Sequence, residues 1–290
     1  MEVGTVAIIL ACGNKIRIYQ VEKSRSTLQC SFISEIDAEA SKLGEYATNM
    51  NIIEELDGYR NEKIYFILTH GSGVLYKTVS IPLGSLDLDP DEAASEDERQ
   101  QTLLLLKNKY ILSGYDPNDY EIMVVDRTID ANVYLTLAFA PIKLISSIIE
   151  LCKYNEFDLL GIVPDLKMLK KIINCGESQY FIVENSRCTL VTELGLLRLN
   201  GLYPLELMKE FLLQEASNIF ENSYLPGPVI SDENIGSCLF LGTGAADRYV
   251  MNSDISLETA AALAVLYNEK EGQVNTDGIV EKFKRFFTKK

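Results

Sequence analysis

The stretch VAIILACGNKIRIYQVE, Val6 to Glu22, reads as an apolar strand, a small polar turn and a second strand whose apolar and polar residues alternate. That pattern is a β-hairpin. A second passage of the same design, YFIVENSRCTLVTELGLLRLNG, runs from Tyr180 to Gly201. Each is followed further on by helical sequence. At 290 residues the chain can bury a large core and is a little long for one domain, so two lobes are expected.

Composition sets the outer limits. Hydrophobic residues make up 47% and charged residues 24%, an ordinary globular balance. The net charge of −15 and pI near 4.6 would repel nucleic-acid phosphates, so no nucleic-acid partner is expected. Met1 to Leu10 has no basic lead, and its apolar run is broken at once by Cys12, Gly13 and Asn14, which is not the pattern of a signal peptide. No apolar run approaches the ~20 residues of a membrane span. A soluble, cytoplasmic chain is the expectation. The six cysteines (Cys12, Cys30, Cys152, Cys175, Cys188 and Cys238) include no Cys-x-x-Cys, and several lie in apolar runs. Buried reduced thiols fit that usage better than disulfides or zinc. The single histidine, His70, sits in the turn THGSGV, so a histidine-based metal cluster is excluded.

Periodicity fills in the remaining elements. A third strand is expected over Leu28 to Ile36, and a helix over Gly44 to Leu56 with Tyr46, Met50, Ile53 and Leu56 on one stripe. KIYFILTHGSGVLYKTVSIP, residues 63–82, supplies two strands around a Gly-Ser-Gly turn and closes a first lobe of residues 1–82. The acidic run LGSLDLDPDEAASEDERQ reads as a solvated surface or linker. It leads into a helix over Glu92 to Tyr110 with the Leu103–Leu106 block packed inward. Strands YEIMVVDRTI and NVYLTLAFA follow, the second with Val133, Leu135, Leu137 and Phe139 on one face. Pro141 then opens a helix, completing an insertion over residues 83–158.

Residues 159–290 form the expected second lobe. It holds a short strand and helix before the second hairpin, then the helix PLELMKEFLLQEASNIF with Leu205, Met208, Phe211, Leu212 and Phe220 inward. The strand SCLFL ends in Gly242-Thr243-Gly244, and two helices, LETAAALAVLYNE and GIVEKFKRFF, close the chain.

The order of these elements resembles the PilM branch of the actin-like ATPase superfamily: type IV pilus assembly proteins related to the division protein FtsA. The landmarks are GVLYKTVSIP, DPNDYEIMVVD and LTLAFAPIKLISSIIELCKYNEFDLLGIVPDLKML, and the likeness covers nearly the whole chain. It implies an α/β, actin-like (ribonuclease H-like), two-lobed fold with an inserted subdomain after the first lobe. The sequence departs from the family between the second hairpin and SCLFL. Only one helix and NSYLPGPVISDENIG stand where the family has a further subdomain, so the upper second lobe is expected to be reduced.

In that family two hairpin loops and a third glycine loop grip ATP and magnesium, with Asp, a small residue, Gly and Ser/Thr following the strand. Setting this pattern on the chain puts Leu10 at the first aspartate and Cys12 at the glycine, with Gly13 and Asn14 in the turn. Leucine cannot coordinate magnesium. In the second loop Glu184 falls at the aspartate and Ser186 at the glycine. The third loop, Gly242, Thr243 and Gly244, keeps phosphate-contact character, although Gly-x-Gly is more often a tight turn. Lys15 and Arg17 could offset phosphate charge but read more simply as exposed hairpin residues. A degenerate site is expected, with no cofactor; ATP and magnesium are disfavoured.

Three functions follow from the resemblance. The first is a scaffold that binds the cytoplasmic tail of a PilN-like bitopic membrane protein, alongside other pilus platform proteins, and so is recruited to the inner face of the membrane. Its groove would lie between the first lobe and the insertion, walled by the 64–82 and the 121–140 strands. The second is a small-molecule kinase, for which Asp126 and Asp165 are the available carboxylates, each more simply a strand-end or capping residue. The third is an FtsA-like membrane-attached polymer. There Phe283, Phe286 and Phe287, with Lys284 and Arg285, would face the membrane. A packed terminal helix is the simpler reading of that segment.

Overall fold

The computed structural model describes residues 6–12, 15–24, 27–37, 56, 58–59, 62–69, 72–83, 89–91, 93, 95–167, 180–184, 187–200, 203–220 and 229–231. These build a mixed α/β fold around three sheets. The first sheet contains β1 (Val6–Cys12), β2 (Lys15–Ser24), β3 (Thr27–Asp37), β4 (Lys63–Leu68) and β8 (Asp158–Pro164) in the order β3-β2-β1-β4-β8. β1, β2 and β3 run antiparallel as a meander, whereas β4 and β8 run parallel to β1. The near-continuous apolar runs of β4 and β8 suit strands covered on both faces.

A second sheet holds β9 (Tyr180–Glu184), β10 (Arg187–Val191), β11 (Leu196–Asn200) and β12 (Val229–Ser231) in the order β11-β10-β9-β12. Again a three-strand antiparallel meander is joined by a strand parallel to its first member. The first four positions of the first sheet are therefore repeated in both order and direction. β12 lies in a segment read from sequence as loop. Pro226, Gly227 and Pro228 are strong turn signals immediately before it, and they mask three residues that satisfy their backbone groups against β9.

The third sheet joins β5 (Leu75–Pro82), β7 (Asn132–Pro141) and β6 (Tyr120–Ile129), all antiparallel, with β7 in the middle. Hydrogen bonds cross the expected segment limits at two strands. β5 was assigned to residues 1–82 but pairs with β7, and β8, placed at the opening of the second lobe, pairs with β4. The turn after β4 makes this switch possible. Ser72 N–H donates to the Thr69 carbonyl at 3.0 Å, and Gly73 adopts φ +82°, a left-handed conformation that favours glycine.

Among the described residues, three longer helices pack on these sheets. α1 (Glu96–Tyr110) starts at Ser95, whose hydroxyl accepts from the Glu98 N–H, and carries acids in its first turn and lysines in its last. Its inward face is Leu103 and Leu106; Leu104 and Leu105 are exposed, because four consecutive leucines cannot share one side of a helix. The acidic run before it is more than a solvated linker: Asp89 is buried and takes a forked ion pair from Arg127 at 2.6–3.0 Å. α2 (Ile142–Tyr154) begins after Pro141, as expected, and packs on β7 and β8. α3 (Leu205–Phe220) buries Met208, Leu212, Ala216 and Phe220. Phe211, expected inward, is exposed and meets Tyr203 edge-on instead.

β7 explains how the sheets meet. Val133, Leu135, Leu137 and Phe139 enter a core with Leu103 and Leu106 of α1. Tyr134, on the opposite face, enters the core of the second sheet with Phe181, Leu190, Leu212 and Phe220. A strand read as half-buried is covered on both sides.

Candidate functional site

The two hairpins expected to carry phosphate loops both form. In the first the ladder runs to Cys12↔Lys15, and in the second to Glu184↔Arg187, so two residues connect the strands in each. By this register Cys12 and Glu184 hold equivalent places, whereas Leu10 matches Ile182. Leu10 sits within a central strand, opposite Arg17 on β2 and Ile67 on β4. The turn residues Gly13, Asn14 and Ser186 lie outside the described residues, as do Gly242, Thr243 and Gly244 of the third loop, His70, and Phe283, Lys284, Arg285, Phe286 and Phe287. Residues 44–55 of the helix expected over Gly44 to Leu56, the expected helices over 257–269 and 278–287 and the SCLFL strand also fall there.

Lys15 and Arg17 point to the same carboxylate. Lys15 Nζ donates to Glu35 Oε1, and Arg17 Nε donates to Glu35 Oε2 at 2.6 Å. The hydrogen bond to Glu35 and its charge raise the Lys15 pKa, and the same two cations lower that of Glu35. The two hairpin cations are engaged by a carboxylate on the neighbouring strand.

A second polar constellation lies where the three sheets converge. Asp165 follows β8 directly; Tyr76 is on β5, Thr189 on β10 and Arg198 on β11. Arg198 Nη1 donates to both Asp165 oxygens, at 3.0 and 2.8 Å, and its Nε donates to Thr189 Oγ1 at 2.9 Å. Tyr76 Oη donates to Asp165 Oδ1 at 2.5 Å, and the Leu166 N–H donates to the same oxygen at 2.8 Å. The Arg198 guanidinium also lies 5.2 Å from the Tyr76 ring centroid. The Arg198 side chain is fully buried and that of Asp165 is 8% exposed. Burial first, then the Asp165 charge, push the Tyr76 pKa well above its ordinary value. Sequence reading singled out Asp165 but not Arg198, whose partner lies 33 residues away. An arginine in a short alternating strand looks solvent-facing until the neighbouring sheet is known.

Close by, Thr78 and Thr136 hydroxyls lie 3.1 Å apart. Thr78 donates to the Leu196 carbonyl, and the Leu196 N–H donates to Thr136 Oγ1 at 3.3 Å. Of the strands expected to wall a groove, β4 belongs to the first sheet and β5 to the third. β5 and β7 are hydrogen-bonded neighbours from Leu75↔Phe139 to Pro82↔Asn132, which leaves no room for a peptide between them. β5 and β6 are the two outer strands of that sheet.

Among the described residues no three His, Cys, Asp or Glu side chains converge on a metal position, and no helix is long and apolar enough to cross a membrane. No protein-family model and no curated protein sequence matches the chain. Among solved structures it is similar to the cytoplasmic domain of EpsL, an inner-membrane component of the Vibrio cholerae type II secretion system. That match has 12% identity over 92% of this chain and 95% of that one, with a TM-score of 0.48. It is similar to a PilM–PilN type IV pilus biogenesis complex at 11% identity, 74% and 65% coverage and a TM-score of 0.41. It is also similar to an Aquifex aeolicus PPX-GPPA enzyme at 9% identity, 79% and 68% coverage and a TM-score of 0.33. At such identities neither activity nor partners carry over.

Proposed function

We propose that this chain is an actin-like, two-lobed assembly protein of a pilus or secretion machine, with a nucleotide site too degenerate to bind Mg-ATP. It works by docking the cytoplasmic tail of a bitopic membrane protein at the inner face of the membrane. The observation that carries the reading is the repeated sheet plan: β3-β2-β1-β4 and β11-β10-β9-β12 share strand order and direction. Two such units, each opening on a hairpin, are what the resemblance to the actin-like superfamily implies.

The loss of nucleotide binding is supported by the hairpins. A phosphate cradle needs several backbone N–H groups free to converge on one anion. Here the ladder holds the backbone as far as Cys12↔Lys15 and Glu184↔Arg187, and only two residues remain at each turn. Leu10 offers magnesium no ligand, and Glu35 already binds Lys15 and Arg17. A kinase reading is weakened at Asp165. A general base needs a carboxylate free to reach its proton, and both Asp165 oxygens are committed to Arg198.

Titration calorimetry tests the first half: Mg-ATP gives no saturable heat with the purified chain, and micromolar binding overturns it. The docking half is tested with synthetic cytoplasmic tails of bitopic proteins encoded beside this one. A basic tail binds this acidic chain with an affinity that falls as salt rises. An extended tail adding to β6 would shield amides of Tyr120–Ile129 from exchange. Absence of binding by every neighbouring tail removes the scaffold reading.

A further inference from the structure

The solvent side of α1 carries two leucines that neither the core nor the proposed function uses. Leu104 is 51% and Leu105 55% exposed, whereas Leu103 and Leu106 fill the core beneath. Gln101 and Asn108 are exposed as well. The four recur at i, i+3, i+4 and i+7, the spacing of one helix face, and none is charged. Two adjacent leucines flanked by neutral residues make a continuous patch, unlike apolar residues scattered singly. Charge is confined to the ends: Glu96, Asp97 and Glu98 in the first turn, Lys107 and Lys109 in the last. Two of these groups are committed within the chain. Lys107 donates to the Tyr120 carbonyl at 3.0 Å, and Glu96 accepts from Gln100 at 2.7 Å. Asp97 and Lys109 are exposed. Lys109 Nζ lies 5.0 Å from the Tyr110 ring centroid; an ammonium has three donors, so this contact leaves room for a carboxylate.

This charge order selects the occupant. A helix that is acidic at one end, apolar and neutral in the middle and basic at the other complements a second copy of itself laid antiparallel. We infer that two copies of the chain associate through α1, related by a two-fold axis passing close to Leu104. Centring the pair between residues 103 and 104 sets the two Leu104 side chains about 1.5 Å apart along the helix direction. It brings Asp97 of each copy level with Tyr110 of the other, next to Lys109 and within reach of that flexible stem. A parallel pair would set acid against acid and lysine against lysine. A basic partner would find no acid between Gln101 and Asn108, and an anionic lipid surface would be repelled by the first turn. The same patch serves both copies, so the contact closes at a dimer. One pair of 15-residue helices buries less than the ~800 Å² per partner of a stable complex, so the association is reversible, with a dissociation constant on the order of 100 μM. The inference stands apart from the reading of the chain as a docking protein for a membrane protein's tail.

Sedimentation equilibrium of the full chain tests this. The weight-average mass rises with concentration and levels off at twice the chain mass. Leu104→Gln/Leu105→Gln weakens the association at least about tenfold; both positions are exposed, so folding is spared. Asp97→Lys and Lys109→Glu, each alone, weaken it about threefold, because each sets like charges together at both ends of the pair. Mixing these two variants restores the association, since each supplies the charge that the other lacks. A variant that had merely lost its helix would not be rescued by its mate. A chain that stays monomeric up to about 500 μM, or a mass that climbs past the dimer, overturns the inference. So do leucine variants or single charge variants as tight as the wild type, and a mixture no tighter than its components.

Discussion

Arg198 has its whole side chain buried, and its charge is tolerated because Asp165 meets it with two hydrogen bonds while Thr189 takes a third. Replacing it (Arg198→Met) strands the Asp165 carboxylate and is expected to cost about 3–5 kcal/mol in urea denaturation. Adding Asp165→Leu removes the orphaned charge and recovers much of that loss; a double variant as weak as the sum of the singles would show that the pair is not coupled. Cys188 makes the opposite kind of residue-scale case. Burial raises its thiol pKa from 9.0 to about 11, with Lys209 pulling weakly the other way. The unfolded chain therefore gives up this proton first. The contribution to stability is complete below pH 9.0, declines as pH rises and is gone above about 11. Tyr76, also raised, acts in the same direction. Iodoacetamide at pH 9 should leave Cys188 unmodified in the folded chain and label it in urea; labelling without denaturant would contradict this burial.

Helix ends carry the predictions at the next scale. α2 closes with the Phe157 N–H donating to the Cys152 carbonyl at 2.9 Å across Glu156, which adopts φ +59°. This is a left-handed closure in which glycine is preferred. Glu156→Gly is expected to raise stability by about 1 kcal/mol, read as a higher urea midpoint with unchanged slope. At the start of α1, Ser95→Ala removes the hydroxyl that accepts from Glu98 N–H at 3.2 Å. The expected loss is about 1 kcal/mol, and Ser95→Asp should retain the cap. A loss equal in both variants would mean that the cap is not what Ser95 supplies. These ends were partly visible in sequence: Pro141 before α2 was read, but Ser95 was placed inside a longer helix because Glu92 to Glu96 suits either a helix or its approach.

At the scale of the molecule, the sheets share cores instead of standing apart. Tyr134 belongs to β7 yet packs edge-on against Phe220 of α3, with ring centroids 5.3 Å apart. Lys77 of β5 pairs with Glu215 of α3 at 3.3 Å. Tyr134→Ala is expected to destabilise the chain by about 3–5 kcal/mol, because it opens a cavity at the junction of two sheets. Far-UV circular dichroism and tyrosine fluorescence, the latter usable because the chain has 15 tyrosines and no tryptophan, should report one urea transition in the wild type. Two separated transitions would mean that the third sheet and the second sheet unfold independently, and would remove the shared-core account.

What the sequence determined by itself was the local repertoire. Val6–Glu22 and Tyr180–Gly201 are hairpins because their apolar alternation and turn residues allow little else, and Pro141 begins a helix because its ring fits a first turn. The absence of a carboxylate at Leu10 was also readable without a structure. Tertiary structure decided which strands share a sheet. β5 follows β4 closely in sequence but pairs with β7, a partnership settled by hydrogen bonds and by which apolar face finds a core. It decided, too, that Arg198 is buried and Phe211 is not, since an alternating strand or an amphipathic helix fixes which residues share a face but not what covers that face. Periodicity is a property of neighbours along the chain, whereas burial depends on partners that only folding brings together.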